Sequence, residues 1–382
     1  MNLLDLKNKD LIKSCKPVLA SFYKNHKKEY IKLFFKEEDI SAPVEGFDLL
    51  VKVKILEKKA GKYRAIRQIF PLSGKFICTD FLISKYRKKG DVYLRGEDDV
   101  WSILPDETPI MAKTTIAKKG DVVLDLATGS GMIAIFCADK AKKVYATDMS
   151  PKAVNYAKFN TILNNVENKV EVRRGDLFEP VKNLKFDLII WNGPTVSLPN
   201  VPKKYPRYAF GGPDGADFTR RFIDEVEKYM KPEGKLQWYD CSAGPKLYGA
   251  SIKHMLNSFK DKPFNISVNY LTTSPISIKK SLKVFEEKCL KGDKITPISI
   301  RPITLKEEKD WVDWLDKMGY KFFHISVVIV NKSKKFNFKV KFPKKDIRDD
   351  RYLTRYWLFL SYKKIVSLFD KCEKYSKSSL GF

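Results

Sequence analysis

Four polar residues in this sequence each come at or near the end of an apolar run, where a strand would finish. They are Asp125, Asp148, Asp176 and Asn192. In open α/β sheets ligands bind at the carboxyl ends of the strands, so these side chains are expected to line one edge of a sheet. Carboxylates and amides accept hydrogen bonds from hydroxyl and amino groups, and a carboxylate also pairs with an ammonium group. The spacing therefore predicts a ligand site built from four strand ends.

The turn that follows Asp125 narrows the choice of ligand. The segment Leu126-Ala127-Thr128-Gly129-Ser130-Gly131 joins an apolar strand to an apolar helix. Glycines let the backbone turn tightly and approach a ligand, and the start of the helix offers unpaired N–H groups. The third glycine of dinucleotide-binding turns is missing, and the Asp125 carboxylate would repel a pyrophosphate. That carboxylate can instead pair with an ammonium group such as the one in S-adenosylmethionine.

The next two strand ends complete the predicted cofactor site. Asp148 is placed to accept hydrogen bonds from both ribose hydroxyls of an adenosine group, and Asp176 suits the adenine amino group. Each carboxylate alone could equally cap a helix or face solvent, but their joint order favours a site for S-adenosylmethionine. The residues expected to contact this cofactor are Asp125, Ala127, Thr128, Gly129, Gly131, Asp148, Met149, Asp176, Leu177 and Asn192.

The elements that position these residues begin near residue 106, where apolar runs start to alternate with helical patterns. Strands are expected at Val122–Leu126, Lys143–Thr147, Val170–Arg173, Phe186–Trp191, Lys235–Asp240 and Phe322–Val330. Helices are expected after Gly131, Ser150, Asp214 and Pro245. This alternation is typical of a parallel sheet with crossover helices, so it predicts an α/β fold with a doubly wound, Rossmann-like sheet.

The segment before this domain has a different pattern. Residues 1–98 predict an α+β accessory segment, with a helix over 5–35 and strands over 47–56 and 63–70. No flexible linker separates this segment from the catalytic domain. We therefore expect it to pack on that domain and to form part of the enclosure around the substrate.

The catalytic domain is assigned to residues 99–332, with an insertion at about 275–304 where the strand–helix pattern is interrupted. Residues 333–382 are predicted to form a basic extension. Its first part is hairpin-like, and a helix is expected over 352–375.

Residues from about 104 to 330 resemble class I S-adenosylmethionine-dependent methyltransferases, and specifically the HemK-like branch, whose members methylate the side-chain amide of glutamine. Leu124 to Gly131 resembles the first motif of that branch, with Ala127 where glycine is usual. Asn192-Gly193-Pro194-Thr195 takes the place of its Asn-Pro-Pro-Tyr signature. The segment Arg207 to Gly215, followed by Arg220-Arg221, is similar to the glycine-rich segment and arginine helix that come next. The resemblance implies a seven-stranded methyltransferase sheet.

The signature supplies the predicted catalytic residues, which are Asn192, Gly193, Pro194 and Thr195. In the family, the asparagine side chain and the carbonyl of the next residue accept hydrogen bonds from a planar nitrogen, on which the tyrosine stacks. The resemblance implies these accepting roles for Asn192 and Gly193. Thr195 has no aromatic ring, and Gly193 is less rigid than proline. A hydroxyl, a carboxylate or a ring nitrogen is therefore an acceptor to consider beside an amide.

The formal net charge of +27 leaves two interpretations open. Basic flanks could dock a polyanion or a membrane surface, but the lysines are spread along the whole chain, which also fits a generally basic surface. The six cysteines and three histidines are dispersed, so no metal site is predicted and the cysteines are expected to be reduced thiols. No run of about 18 apolar residues and no leader-like start is present, so we expect a cytoplasmic protein.

The methyl acceptor stays open between two classes. The first interpretation is transfer from S-adenosylmethionine to a nitrogen or oxygen of a small metabolite or a peptide. The alternative is transfer to a protein, at a glutamine amide, or to RNA, with the basic flanks as the docking surface. A non-catalytic binding protein is a third possibility, against which the joint presence of the three carboxylates and Asn192 argues. The sequence indicates no oligomeric state.

Overall fold

The computed structural model describes residues 4–81, 98–100, 103, 107–199, 209–290, 305–347 and 361–378. They form two compact units. The first unit holds the described residues up to Pro180 together with residues 361–376, and the second holds those from Val181 to 347 together with 377–378. This division does not follow the domain boundaries expected at residues 98 and 332, which remain predictions.

The helices are α1 (Lys9–Asn25), α2 (Lys27–Lys36), α3 (Phe47–Lys52), α4 (Thr108–Lys113), α5 (Met132–Cys137), α6 (Pro151–Leu163), α7 (Asp217–Val226), α8 (Ala250–Phe259), α9 (Ile278–Leu290), α10 (Leu305–Lys317) and α11 (Tyr362–Glu373). The strands are β1 (Leu56–Lys59), β2 (Lys62–Ala65), β3 (Gln68–Leu72), β4 (Lys75–Thr79), β5 (Val122–Leu126), β6 (Lys143–Asp148), β7 (Val170–Arg174), β8 (Phe186–Trp191), β9 (Met230–Gly244), β10 (Phe264–Tyr270), β11 (Ile276–Ser277), β12 (Phe322–Lys332) and β13 (Asn337–Lys341).

In the first unit, the central strand β6 pairs in parallel with β5 on one side and β7 on the other. Four of the five residues of β5 are buried, as expected for a strand covered on both faces. Every residue of α5 is buried as well. Helix α6 starts at Pro151, where the Ser150 side chain caps it by accepting a hydrogen bond from the Ala153 N–H. The first three strands predicted for the α/β sheet are therefore confirmed as β5, β6 and β7.

The accessory segment differs from its prediction at two places. The single helix expected over 5–35 is two helices, because the chain turns at His26 between α1 and α2. The strand expected over 47–56 is wrong, since its first half is the helix α3. The buried residues of α3 are Phe47 and Leu50, whose separation is helical and not alternating.

The remaining accessory strands pair as two antiparallel hairpins, β1 with β2 and β3 with β4. The strand expected over 63–70 is thus two separate strands. Helix α11 also belongs to this unit, because the Phe369 ring lies 5.0 Å from that of Phe35 and 5.7 Å from that of Phe70. The expected start of this helix at residue 352 lies outside the described residues.

The second unit has the strand order β13-β10-β12-β9-β8. Strands β8 and β9 are parallel, whereas β12 is antiparallel to both of its neighbours, β9 and β10. Strand β11 makes a short antiparallel pair with the start of β12. The predicted finish of the domain, a helix followed by a long strand, corresponds to α10 and β12.

In the part of the stretch after β12 that the structure describes, residues 333–347, the chain does not form the predicted hairpin. Because β12 already has a strand on each side, the chain passes on and β13 pairs in parallel with β10. Strands β10, β11 and β13 of this unit were not among the strands expected from the sequence. The part of the insertion that is described contains β11 and α9, and residues 291–304 lie outside it. None of the described helices is long and apolar enough to span a membrane.

Candidate functional site

The glycine turn after β5 is a series of left-handed backbone conformations. The φ angles are +58° at Ala127, +55° at Gly129 and +81° at Gly131. A side chain at residue 131 would also press on helix α6, since its Cβ would lie 3.1 Å from that of Ala157. The turn thus requires glycine at residue 131, whereas Ala127 holds a conformation that costs an L-residue about 1 kcal/mol or more.

Asp125 lies beneath this turn and is 1% exposed. One carboxylate oxygen, Oδ2, accepts hydrogen bonds from the Thr128 hydroxyl at 2.5 Å and from the Ala134 N–H at 3.0 Å. The other oxygen, Oδ1, is buried and has no hydrogen-bond partner among the described residues. Burial raises the pKa of Asp125 to about 7, and the two hydrogen bonds oppose that rise. The group therefore offers one free, desolvated acceptor to an incoming donor.

Asp148, at the end of β6, is tied to the same turn. Its Oδ2 accepts from the Gly129 N–H and its Oδ1 from the Ser150 N–H, both at 2.9 Å. Burial raises the pKa of Asp148, while these backbone N–H groups lower it. Each carboxylate oxygen still has lone-pair capacity for a hydroxyl donor. The exposed Met149 follows directly, with 57% of its surface accessible.

Asp176 lies on an exposed turn after β7. The turn is connected to the second strand end, because the Gly175 N–H donates to the Asp148 carbonyl at 3.1 Å. Leu177 has a φ of +41° and begins the tight bend that leads back into the sheet. The structure thus brings Asp125, Asp148 and the Asp176 turn together through the backbone of one unit, in the predicted order.

Asn160 on α6 supports this turn and was not among the residues predicted from the sequence. It is fully buried, and its Nδ2 donates to the Ser130 carbonyl at 2.8 Å and to the Cys78 carbonyl at 2.9 Å. Its Oδ1 accepts from the Cys78 N–H at 2.8 Å. One amide therefore joins strand β4 of the accessory segment to the glycine turn. The sequence signal that could have identified Asn160 is its position as a carboxamide within the largely apolar helix α6.

A buried ionic cluster joins the same two elements. The Lys152 ammonium lies 2.8 Å from the Asp80 carboxylate and 3.3 Å from that of Asp99. Asp80 also accepts a hydrogen bond from the Tyr156 hydroxyl at 2.6 Å. All four residues are buried, and none is more than 9% exposed. Removing one partner of such a cluster leaves an uncompensated buried charge, so the cluster fixes how β4 meets α6.

The predicted signature begins where β8 ends, in the second unit. The Trp191 indole is buried, donates to the Thr219 hydroxyl at 3.1 Å and stacks on the Phe222 ring at 5.1 Å. The six-membered ring of this indole lies against the backbone of Gly193. A Cβ at residue 193 would lie 2.2 Å from the Trp191 Cζ2 atom. Glycine replaces the family's proline here because the indole occupies that space.

Asn192 is the signature residue with an unfilled hydrogen-bonding capacity. Its side-chain oxygen Oδ1 is buried and has no partner among the residues that the structure describes. Since leaving a buried acceptor unsatisfied costs about 1–3 kcal/mol, such an atom points to a ligand that donates to it. Thr195, which the resemblance places in the position of a stacking tyrosine, is partly buried.

The glycine-rich segment packs directly on the signature. The Val196 N–H donates to the Ala209 carbonyl at 2.8 Å, and the Gly211 N–H donates to the Val196 carbonyl at 2.9 Å. A Cβ at residue 211 would lie 2.7 Å from the Thr195 Cα. Arg207 and Tyr208 of this segment lie outside the described residues. The contacts explain the glycines: they let two backbone strands touch.

The start of the arginine helix is fixed to the same segment. Arg220 on α7 forms an ion pair with Asp214 and a second with Asp217 at 2.8 Å. Arg221 is exposed and lies over the Phe218 ring, with 5.8 Å from its Cζ atom to the ring centroid. The two adjacent arginines therefore differ, because the first holds the loop and the second faces solvent.

Comparison with known proteins gives a family. A family model described as "Methyltransferase domain" matches residues 117–313. A protein of Methanocaldococcus jannaschii named "Putative protein N5-glutamine methyltransferase" is 34% identical over 189 residues, which is 48% of this chain and 87% of that protein.

Two bacterial proteins are also similar to this chain in sequence. The "Release factor glutamine methyltransferase" of Dictyoglomus turgidum is 34% identical over 210 residues, covering 51% of this chain and 72% of that protein. The "Ribosomal protein uL3 glutamine methyltransferase" of Bradyrhizobium diazoefficiens is 33% identical over 155 residues, covering 38% of this chain and 46% of that protein. The match thus spans less than half the length of this last protein.

Proposed function

This chain belongs to the HemK-like branch of the class I S-adenosylmethionine-dependent methyltransferases, and from that premise we propose that it methylates the side-chain amide nitrogen of a glutamine in a protein. The observation that carries the proposal is the buried, unpartnered Oδ1 atom of Asn192 in the signature. An amide NH2 group supplies the donor that this atom lacks. A carboxylate acceptor has no proton to give it.

The proposed role of Asn192 is to orient the acceptor. An amide nitrogen is a poor nucleophile because its lone pair is delocalised into the carbonyl group. A hydrogen bond to Asn192 Oδ1 holds the NH2 group in one orientation and draws off part of the positive charge that develops on nitrogen. The buried Trp191 indole fixes the backbone on which Asn192 stands, replacing the rigidity that proline gives the family signature. Positioning of this kind can supply about 7–11 kcal/mol of a barrier.

The residues of the first unit fit S-adenosylmethionine, which supplies an electrophilic methyl group on a sulfonium when bound. We propose that the free Asp125 Oδ1 accepts a hydrogen bond from the ammonium group of S-adenosylmethionine, and that Asp148 accepts hydrogen bonds from the ribose hydroxyls of the same molecule. Gly129 and Gly131 allow its close approach to the turn. Asp176 and Leu177 are proposed to bind the adenine. The fit rests on a buried acceptor that lacks a donor.

The first interpretation from the sequence, a small-molecule acceptor, is not supported. The relatives named above carry names that specify glutamine in a protein, a release factor or a ribosomal protein. They favour the alternative interpretation. Thr195 stands where the family has tyrosine, so the signature supplies no aromatic ring for the flat face of the amide.

The proposal is tested by methyl transfer to fractionated cell extract. Purified chain is incubated with labelled S-adenosylmethionine and, separately, with translation proteins, RNA and small metabolites, and labelled protein is digested and analysed by mass spectrometry. We expect label in protein, as N5-methylglutamine, and at least about tenfold less with Asn192→Ala. Label confined to RNA or to metabolites, or carried by lysine or arginine, would contradict the proposal.

A further inference from the structure

A cavity of about 400 Å³ lies in the second unit, and none of the residues that line it has a role in the proposed function. The described residues that line it are Pro199, Pro213, Glu307, Asp310, Trp311 and Trp314. Four of these six come from one helix, α10. The volume lies within the range for small-ligand pockets and is large enough for one long side chain.

Hydrogen bonds connect this cavity with the segment that follows the signature, because the Leu198 N–H, next to Pro199, donates to the Gly212 carbonyl, next to Pro213, at 3.2 Å. The Trp311 indole N–H donates to the Pro213 carbonyl at 2.8 Å, and the Ala243 N–H at the carboxyl end of β9 donates to the carbonyl of Asp214 at 2.8 Å. Trp311 also packs in one apolar cluster with Ala243. Pro199, which also lines the cavity, belongs to the loop that continues from the signature. A bound protein segment can therefore reach both places.

The lining combines aromatic and acidic side chains. Two indoles and two carboxylates face the cavity, and no described lining residue is a lysine or arginine, although the whole chain has a net charge of +27. Trp314 is 40% exposed and Asp310 is exposed, so both can be reached by a ligand. Indole faces attract cations, and a carboxylate pairs with a guanidinium through two parallel hydrogen bonds.

We infer that this cavity binds an arginine side chain of the protein substrate, separate from the glutamine that is methylated. This inference rests on the proposed function. Arginine is chosen over lysine because its flat guanidinium stacks on an indole while its edge reaches Asp310. The cavity thereby selects glutamines that have an arginine nearby in the folded or extended substrate.

Binding of a model compound tests the inference without methyl donor or protein substrate, so failure of glutamine methylation leaves this test intact. N-acetylarginine amide is titrated into the full chain while tryptophan fluorescence is recorded. Trp314→Phe, which keeps an aromatic face, identifies the signal of that indole among the six tryptophans. We expect saturable binding, and about tenfold or more weaker binding of N-acetylcitrulline amide, which has the same shape without the charge.

Two neighbouring variants sharpen the test. Asp310→Asn should weaken binding of the arginine compound about tenfold, whereas Asp313→Asn, an exposed acid on α10 outside the lining, should leave it unchanged. Equal effects of the two variants would reduce the result to long-range charge and overturn the inference. Equal binding of the arginine and citrulline compounds, or no saturable binding of either, would overturn it as well.

Discussion

The first unit and the second unit hold their polar groups by different means. In the first, Asp125 and Asp148 accept backbone N–H groups from the glycine turn and the following helix. In the second, Asn192 depends on the packing of an indole and of a glycine-rich segment, and its own Oδ1 has no described partner. Hydrogen bonds from the backbone hold a side chain in place whatever the neighbouring side chains are. Packing holds it in place only while the neighbouring side chains keep their volume. Loss of binding is therefore expected from the first region and loss of turnover from the second.

The largest effect is expected from Asp148→Ala. Two charge-assisted hydrogen bonds to ribose hydroxyls, each worth about 1.5–3 kcal/mol, would disappear, so affinity for S-adenosylmethionine should fall on the order of 100-fold. Calorimetry measures the affinity for S-adenosylmethionine. Asp148→Asn, which keeps the size of the side chain and removes its charge, is measured beside it. An unchanged affinity in the alanine variant would remove this residue from the cofactor site and erase the contrast between the regions.

Gly193→Ala probes the packing of the second region. The new Cβ would lie 2.2 Å from the Trp191 ring, so we expect a loss of stability of about 1–3 kcal/mol together with a large loss of turnover. Denaturant unfolding and methyl transfer are measured on the same samples. Trp191→Phe should recover part of both losses when combined with Gly193→Ala. If the pair is merely additive, the ring does not set the residue at 193.

Asn192→Ala should lower turnover at least about tenfold, which corresponds to roughly 1.4 kcal/mol in the barrier. Affinity for S-adenosylmethionine should stay nearly constant, because the proposed role of the amide is toward the acceptor. Single-turnover kinetics and calorimetry separate the two quantities. Full activity in the variant would exclude Asn192 from the mechanism. Lost affinity for S-adenosylmethionine would instead assign Asn192 to cofactor binding.

A pH dependence isolates the buried carboxyl group of Asp125. With a pKa of about 7, Asp125 is mostly protonated at pH 6, and only its ionised form pairs with an ammonium group. Affinity for S-adenosylhomocysteine should therefore rise about tenfold between pH 6 and pH 8. Asp125→Asn should flatten that profile. A flat profile in the unmodified protein would mean that the free oxygen does not face the ammonium group.

The same pKa sets the sign of a stability effect. The folded-state pKa lies above the usual value of an aspartate, so between about pH 4 and 7 the folded form binds more protons than the unfolded form. The contribution of Asp125 to stability is complete below pH 4 and is lost as the pH rises through 7. Comparing the unfolding free energies of the protein and of Asp125→Asn across this window isolates the effect.

The smallest expected effect is a gain. Ala127 has a φ of +58°, which glycine adopts without strain, so Ala127→Gly should stabilise the fold by up to about 1 kcal/mol. Thermal unfolding shows this as a rise of a few degrees in Tm. Gly74→Ala, at a φ of +71° on an open turn, is the matched change in the opposite direction. A destabilised Ala127→Gly protein would show that the methyl group of residue 127 contributes packing.

Much of the first unit could be predicted because its signals are local. A buried strand, an acid near its end and a glycine turn occupy ten consecutive residues, Val122 to Gly131, and glycine adopts the positive φ at residue 131 without strain. The signature could likewise be placed after Trp191, because β8 is an apolar run of ordinary length. In both cases the residues that set the geometry are neighbours in the chain.

The sequence by itself therefore determined the strands of the cofactor motif, the polar residues at the strand ends and the family. Only the tertiary structure decided that Asn160 joins the glycine turn to a strand 82 residues away, and that α3 is a helix. It also showed that Gly193 is required by an indole and that Asn192 has a free, buried acceptor. The physical reason is that burial and satisfied hydrogen bonds depend on which distant segments meet, whereas strand ends and glycine turns depend on steric limits within a few residues.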